Sequence, residues 1–173
     1  MQIKTVMLMV HEALNAAGAT HALIGGMALS ALGNPRATND VYFLVHSDFR
    51  FEIEREMLSR GFELFHSSAE VAQWTGMVPV DFLYANREIT KEMLKRANST
   101  INEIKLSGIT VLDASDIIGL KIQAYCNNPK RLFQDLADIQ KLIEVNEIDW
   151  KRVKIYAEAF NEWQRIESFK TTK

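Results

Sequence analysis

Residues 21–45 read HALIGGMALSALGNPRATNDVYFLV, and the fold class turns on how this stretch divides. Residues 21–24 predict a short strand and residues 27–32 a short helix, with Gly25 and Gly26 at the junction. Two glycines there allow backbone amides to approach a phosphate closely, and the start of the following helix adds partial positive charge. A Gly-Gly pair also makes ordinary turns, so both readings stand on the pair alone. Residues 40–45 predict a second strand. Side chains two apart on a strand share a face. Asp40 and Tyr42 therefore point one way, and Val41 and Phe43 the other.

Working outward, Ile3, Val6, Met7, Val10, Leu14 and Ala17 recur at helical spacing, which predicts an amphipathic helix over 3–17 closed by Gly18. On the C-terminal side the pattern predicts a helix over 48–60 stopped by Gly61. Strands over 62–66 and 71–75 follow, with a hairpin as one arrangement. A further strand covers 78–84, with Pro79 near its start where proline is tolerated. A helix over 87–97 comes next, then short strands over 103–106 and 110–112 that can pair across Ser107-Gly108. Beyond residue 113 the pattern is helical only. Helices are expected over 116–125, capped by Asp113 or Ser115, and over 132–145 and 149–169, with a frayed tail over 170–173. The expected fold class is α/β, a mixed sheet flanked by helices with a helical C-terminal layer. The expected organisation is an α/β domain over 1–113 and a helical subdomain over 114–173.

Asp81 lies in VPVDFLYA, between Val80 and Phe82 on a strand expected to be largely buried. An acid in that setting is paired, hydrogen-bonded or bound to metal, or it marks a strand edge or turn. These alternatives stay open on the residues alone.

Taken together, Ile24, Gly25, Gly26, Asp40 and Val41 resemble the signature of the nucleotidyltransferase superfamily with the DNA polymerase beta-like fold. That signature is an apolar residue, Gly, Gly or Ser, a spacer, then Asp, an apolar residue and a second acid. Arg36, Thr38, Asp40 and Val41 are closest to its bacterial branch of abortive-infection-toxin-like small transferases, and Asp81 matches the third acid. Residues 113–143, DASDIIGLKIQAYCNNPKRLFQDLADIQKLI, resemble that branch's C-terminal motif, with Lys121, a basic-rich turn, Asp135 and Asp138. About two thirds of the chain takes part in the resemblance.

The resemblance implies transfer of a nucleoside monophosphate from an NTP to an acceptor, which is a protein, an RNA or a small molecule. It implies Mg²⁺ held by Asp40 and Asp81 as catalytic and metal residues. It also implies nucleotide binding by Gly25, Gly26, Arg36, Thr38, Lys121 and Asp138, and permits an antitoxin-like protein partner. In such a site two divalent ions bridge the phosphates and stabilise attacking and leaving oxygens. The sequence departs from the pattern at position 42, where the second acid is expected and Tyr42 stands. A phenol is neutral at pH 7, with a pKa of about 10, and is a poor Mg²⁺ ligand. Asp48 lies beyond the strand and Asn39 faces the other way, so neither replaces the acid. The expectation is an impaired or inactive site. The alternative is a non-catalytic nucleotide-binding or protein-interaction module on the same fold, with toxin–antitoxin action as a third reading.

Asp135 and Asp138, three apart, share a helix face. Lys121 then either reaches nucleotide phosphates, oriented by these acids, or forms an interhelix ion pair on a solvated surface. Arg36 either clamps a phosphate with its planar fork or lies in a solvated loop. His11, His21, His46 and His66 have no ligand spacing. Trp74, Trp150 and Trp163 are scattered and read as packing residues.

The net charge of −2 over 173 residues argues against a general nucleic-acid binder. The single cysteine, Cys126, excludes an internal disulfide and agrees with a reducing, cytoplasmic setting. The apolar run from Val6 to Val10 is shorter than the roughly 7–15 residues of a signal segment. No stretch reaches the ~20 apolar residues of a membrane span.

Overall fold

In the computed structural model, which describes residues 2–172 and side chains through residue 170, the chain groups into two compact units. One comprises the described residues up to 28 together with 36–112, the other residues 29–35 and the described residues from 113 on. The first unit opens with helix α1 (Gln2–Ala16), ended by Gly18 at φ +70°. Strand β1 (His21–Ile24) runs directly into helix α2 (Gly25–Ala31). Strand β2 (Val41–His46) leads through a 3-10 turn to helix α3 (Arg50–Ser59). Strands β3 (Glu63–Ser67), β4 (Val71–Thr75) and β5 (Val80–Ala85) follow, then helix α4 (Glu88–Ala97). A small hairpin of β6 (Lys105–Leu106) and β7 (Ile109–Thr110) completes the unit.

The sheet has five strands in the order β1-β2-β5-β4-β3. The β2–β5 pair is parallel, and the others are antiparallel, so the sheet is mixed. The expected hairpin over 62–75 forms as β3 and β4. Alternation sorts the two faces. Val41, Phe43, Val45, Val80, Phe82, Ala72 and Trp74 are buried on one. Gln73, Tyr42, Asp81 and Leu83 are only half-buried on the other. On the buried face, burial of Val6, Met7, Val10 and Leu14 in α1, Ile53 and Met57 in α3, and Met93 and Leu94 in α4 supplies the apolar core. Each such side chain contributes roughly 1.5–3 kcal/mol. Asp40, expected to begin the second strand, lies in the bend just before β2.

His21 and His11 join α1 to β1 through a defined relay. The Ala19 carbonyl can only accept, so His21 Nδ1–H donates to it at 2.7 Å. His21 Nε2 then accepts from His11 Nδ1–H at 2.7 Å, and Asn15 Nδ2 donates to His11 Nε2 at 3.1 Å. Both imidazoles are neutral in this arrangement. Burial is the main cause that holds the His21 pKa down to about 4, against the opposing Ala19 hydrogen bond, with His11 adding to the depression. Burial also lowers the His11 pKa, opposed by Glu12.

The second unit is helical. Helix α5 (Ala114–Asn127) starts at the cap Asp113, whose carboxylate accepts from the Asp116 amide at 3.0 Å. A 3-10 turn over Pro129–Arg131 leads to α6 (Leu132–Val145), then α7 (Trp150–Glu158) and α8 (Trp163–Glu167). The single helix expected over 149–169 is therefore two. The break falls at Asn161, whose φ of 58° is left-handed and cannot continue a right-handed helix. The frayed tail expected over 170–173 lies, from residue 171 on, outside the described side chains. Ile117, Ile118, Ile122, Ile139, Leu142, Ile143, Val153 and Ile166 fill the core of this unit. Gly119 lets α5 and α7 approach closely, since a Cβ there would lie 2.4 Å from Tyr156 Cδ2. The Tyr156 hydroxyl then donates to Asp116 at 2.6 Å, and Arg152 binds Asp113 at 2.7 Å and Asp116 at 3.1 Å. Among the described residues no helix is long and apolar enough to cross a membrane.

Two outcomes test this packing. Gly119→Ala should destabilise the protein by about 1–3 kcal/mol in chemical denaturation, because the overlap with Tyr156 outweighs the ~1 kcal/mol gain in helix propensity. Stability should also fall as pH drops. Unfolded His21 binds a proton near its ordinary value of about 6.5, while the folded form resists until about pH 4. The unfolded state binds more protons through that window. About 3 kcal/mol should be lost between pH 6.5 and 4, and His21→Gln should flatten that dependence in denaturation curves.

Candidate nucleotide and metal site

The strand parity that buries Val41 and Phe43 brings the candidate residues together on the half-open face. Ile24 pairs with Tyr42 across β1 and β2. Tyr42 pairs with Asp81 across β2 and β5, and Asp81 pairs with Gln73 across β5 and β4. Register partners share a face, so Ile24, Tyr42, Asp81 and Gln73 form one row across four strands. The Val41 amide donates to the Pro79 carbonyl at 3.0 Å. Asp40 and Asp81 thus stand at neighbouring ends of two paired strands.

Gly25 and Gly26 occupy the β1–α2 junction that the sequence predicts. Gly25 has a φ of +69°, a conformation that only glycine adopts without strain. Its missing side chain also makes room for a neighbour. A Cβ on Gly25 would lie 3.0 Å from Tyr42 Cβ and 3.3 Å from Tyr42 Cγ. A Cβ on Gly26 would lie 2.6 Å from Thr38 Cβ and 2.7 Å from Thr38 Oγ1. Thr38 Oγ1 in turn donates to the Asp40 carboxylate at 2.6 Å. Gly25, Gly26, Thr38, Asp40, Tyr42 and Asp81 are therefore one contiguous group. Arg36 lies in the loop ahead of it, with Nη1 donating to the Ala37 carbonyl at 3.4 Å.

The oxygen-bearing side chains at these neighbouring positions are the Asp40 and Asp81 carboxylates and the Tyr42 phenol. Among the described residues no three His, Cys, Asp or Glu side chains come close enough to hold one ion. A shallow open groove of about 420 Å³ runs beside Thr38 and Asn39, lined also by Gln2, Ile3 and Val78. Its lining includes neither Asp40 nor Asp81. Gln73 was not singled out by the sequence, because nothing in a single strand reveals which residue of another strand stands opposite.

Lys121, Asp135 and Asp138 belong to the helical unit, and their ion pairs are buried rather than solvated. Lys121 Nζ donates to Asp135 Oδ1 at 2.9 Å and to Asp138 Oδ2 at 2.6 Å, and the three residues are 6%, 0% and 5% exposed. Arg131 Nε pairs with Asp135 Oδ2 at 3.0 Å, and Asn34 Nδ2 donates to Asp138 Oδ1 at 3.5 Å. Two cations balance two anions. Of the two alternatives read from the sequence, the interhelix ion pair forms, but it is buried and not on a solvated surface. Lys121 lies on α5 and Asp135 and Asp138 on α6, and Ile117, Ile118, Ile139 and Leu142 of the same two helices are buried as well.

No family model matches this chain, and no curated protein matches it. Solved structures do. The solution structure of the antibiotic-resistance factor ANT(2'')-Ia is similar with a TM-score of 0.65 at 14% identity, over 97% of this chain and 96% of that one. The crystal structure of ANT(2'')-Ia in complex with adenylyl-2''-tobramycin also gives 0.65 at 14% identity, over 91% and 95%. An antigenic nucleotidyltransferase-like protein from Paracoccidioides brasiliensis gives 0.56 at 18% identity, over 96% and 90%. At these identities the likeness establishes the fold: the chain is built on the nucleotidyltransferase fold, as the α/β expectation required.

The buried ion cluster makes a direct test. Lys121→Ala removes the cation shared by two buried acids, and should cost about 3–5 kcal/mol in urea denaturation. A surface pair would cost under about 1 kcal/mol.

Proposed function

We propose that this chain binds a nucleoside triphosphate in a nucleotidyltransferase-type site, and that Tyr42 impairs or abolishes transfer to an acceptor. The observation that carries this reading is the place of Tyr42. It is the register partner of Asp81 and lies against Gly25. Position 42 is where a carboxylate would join Asp40 and Asp81, and a neutral phenol cannot replace it as a Mg²⁺ ligand.

The donor set does not fit a two-metal clamp, which relies on charged oxygens to hold both ions. A single Mg²⁺ on Asp40 and Asp81 is the most this set supports. In this reading Thr38 orients the Asp40 carboxylate, while Gly25, Gly26 and Arg36 form the phosphate side. Lys121 and Asp138 enter as the buried support of the helical unit, since the Lys121 ammonium already has two carboxylate partners. The ANT(2'')-Ia complex with adenylyl-2''-tobramycin supports a small molecule as the acceptor to test first.

A second reading is a non-catalytic interaction module on the same fold. One observation favours it: the side-chain space of both glycines is filled by this chain's own Tyr42 and Thr38. Calorimetric titration with each NTP, with and without Mg²⁺, separates the two. Binding of an NTP supports the first reading, and no binding of any NTP leaves the second.

Tyr42→Asp tests the impaired site itself. The variant should bind Mg²⁺ more tightly and show labelled nucleotide transfer above the parent. A missing ligand worth 4 kcal/mol of transition-state stabilisation slows a reaction roughly a thousandfold. Losing the ring against Gly25 should cost about 1–3 kcal/mol of stability, so thermal melts of both proteins accompany the assay. A folded variant with no gain in Mg²⁺ binding or transfer would sink the idea of an impaired metal site.

A further inference from the structure

Trp150 and Trp163, read from sequence as separate packing residues, meet in the helical unit. Trp150 opens α7 and Trp163 opens α8. Their ring centroids are 6.5 Å apart and the planes stand at 72°. Between them sits an ammonium group. Lys170 Nζ lies 4.7 Å from the Trp150 centroid and 4.4 Å from the Trp163 centroid. Its carboxylate partner, Glu167 Oε1, is 3.5 Å away. Lys154 Nζ stands 5.6 Å from the Trp163 ring and pairs with Glu158 at 3.6 Å. The Lys170 side chain is 33% exposed, so the place is reached from solvent.

We propose that Trp150 and Trp163 form a binding site for an organic ammonium group, filled in the resting chain by Lys170. Each indole presents the negative face of its quadrupole, and a cation within ~6 Å of a ring centroid is attracted to it. Two indoles at 72° to one another and the Glu167 carboxylate thus share one cation. The resident occupant is a weak competitor on physical grounds. A primary ammonium is strongly hydrated and hangs on a flexible four-carbon stem, so holding it costs desolvation and side-chain entropy. An alkylated ammonium is weakly hydrated and presents methyl groups to the rings. It loses less on entry and can displace Lys170. The site lies wholly in the helical unit and does not depend on the nucleotide reading.

The test uses the full chain and tetramethylammonium chloride, followed by tryptophan fluorescence at matched ionic strength. Trp74 is 2% exposed, so its contribution stays constant. In Lys170→Met, tetramethylammonium should bind about tenfold more tightly than in the parent, because the internal competitor is gone. Lys170→Arg should behave as the parent. Adding Trp163→Leu to Lys170→Met should abolish the signal. The uncharged isostere neopentane-type alcohol should give no saturable change. Equal affinity in parent and Lys170→Met, no saturable binding in either, a signal that survives Trp163→Leu, or equal response to the neutral isostere would each overturn the proposal.

Discussion

The parallel pairing of β2 with β5 is the constraint on which the α/β unit depends. Val41 against Val80 and Phe43 against Phe82 are buried pairs that set this register. A slip of one residue would turn both runs over and expose them. The same parity leaves Tyr42 and Asp81 side by side on the opposite, half-open face. Core packing and candidate chemistry are therefore two faces of one alignment. The position of Tyr42 beside Asp81 follows from the apolar residues behind it.

The glycines of the β1–α2 turn illustrate how one residue type serves two ends. At Gly25 the backbone conformation requires glycine, and the absent side chain also accommodates Tyr42. At Gly26 no special φ is involved, and the neighbour is Thr38, which holds the Asp40 carboxylate. A Gly-Gly pair suited to close approach of a phosphate is equally suited to close approach of a side chain. In this chain the side chains are present, and they come from the same segment that carries Asp40.

The helical unit rests on paired charges, buried around Lys121 and partly exposed around Arg152, where the Arg152 and Asp113 side chains are 20% and 32% exposed. Lys121 between Asp135 and Asp138, and Arg152 between Asp113 and Asp116, tie α5 to α6 and α7. Each cluster is paired and hydrogen-bonded, which is the condition under which buried charge is tolerated. Their geometry makes the helix contacts specific. An apolar interface of Ile and Leu alone could slide by a turn, whereas a lysine that must meet two carboxylates has one register.

Much of this was legible in the sequence. Periodicity located β1, β4 and α6 to the residue, placed the other elements within a few positions, and separated a strand-bearing half from a helical one. Local chemistry was enough there, since apolar repeats, Gly18, Gly61 and the Asp113 cap act on their own neighbours in the chain. The glycine turn was legible too, because it is a local pattern, whereas Asp40 and Asp81 were singled out together only through the family resemblance. Contacts between distant segments were not. That Gln73 stands beside Asp81, that Tyr42 lies over Gly25, that Lys121 is buried, and that Trp150 and Trp163 enclose Lys170 depend on strand order and helix packing. The break at Asn161 was also invisible, because a left-handed residue is chosen by the packing on either side of it. The sequence alone determined most of the elements, their order and the strand parity that sets Tyr42 on the face opposite Val41 and Phe43. The tertiary structure decided which side chains meet, because burial and register act between residues that the chain keeps far apart.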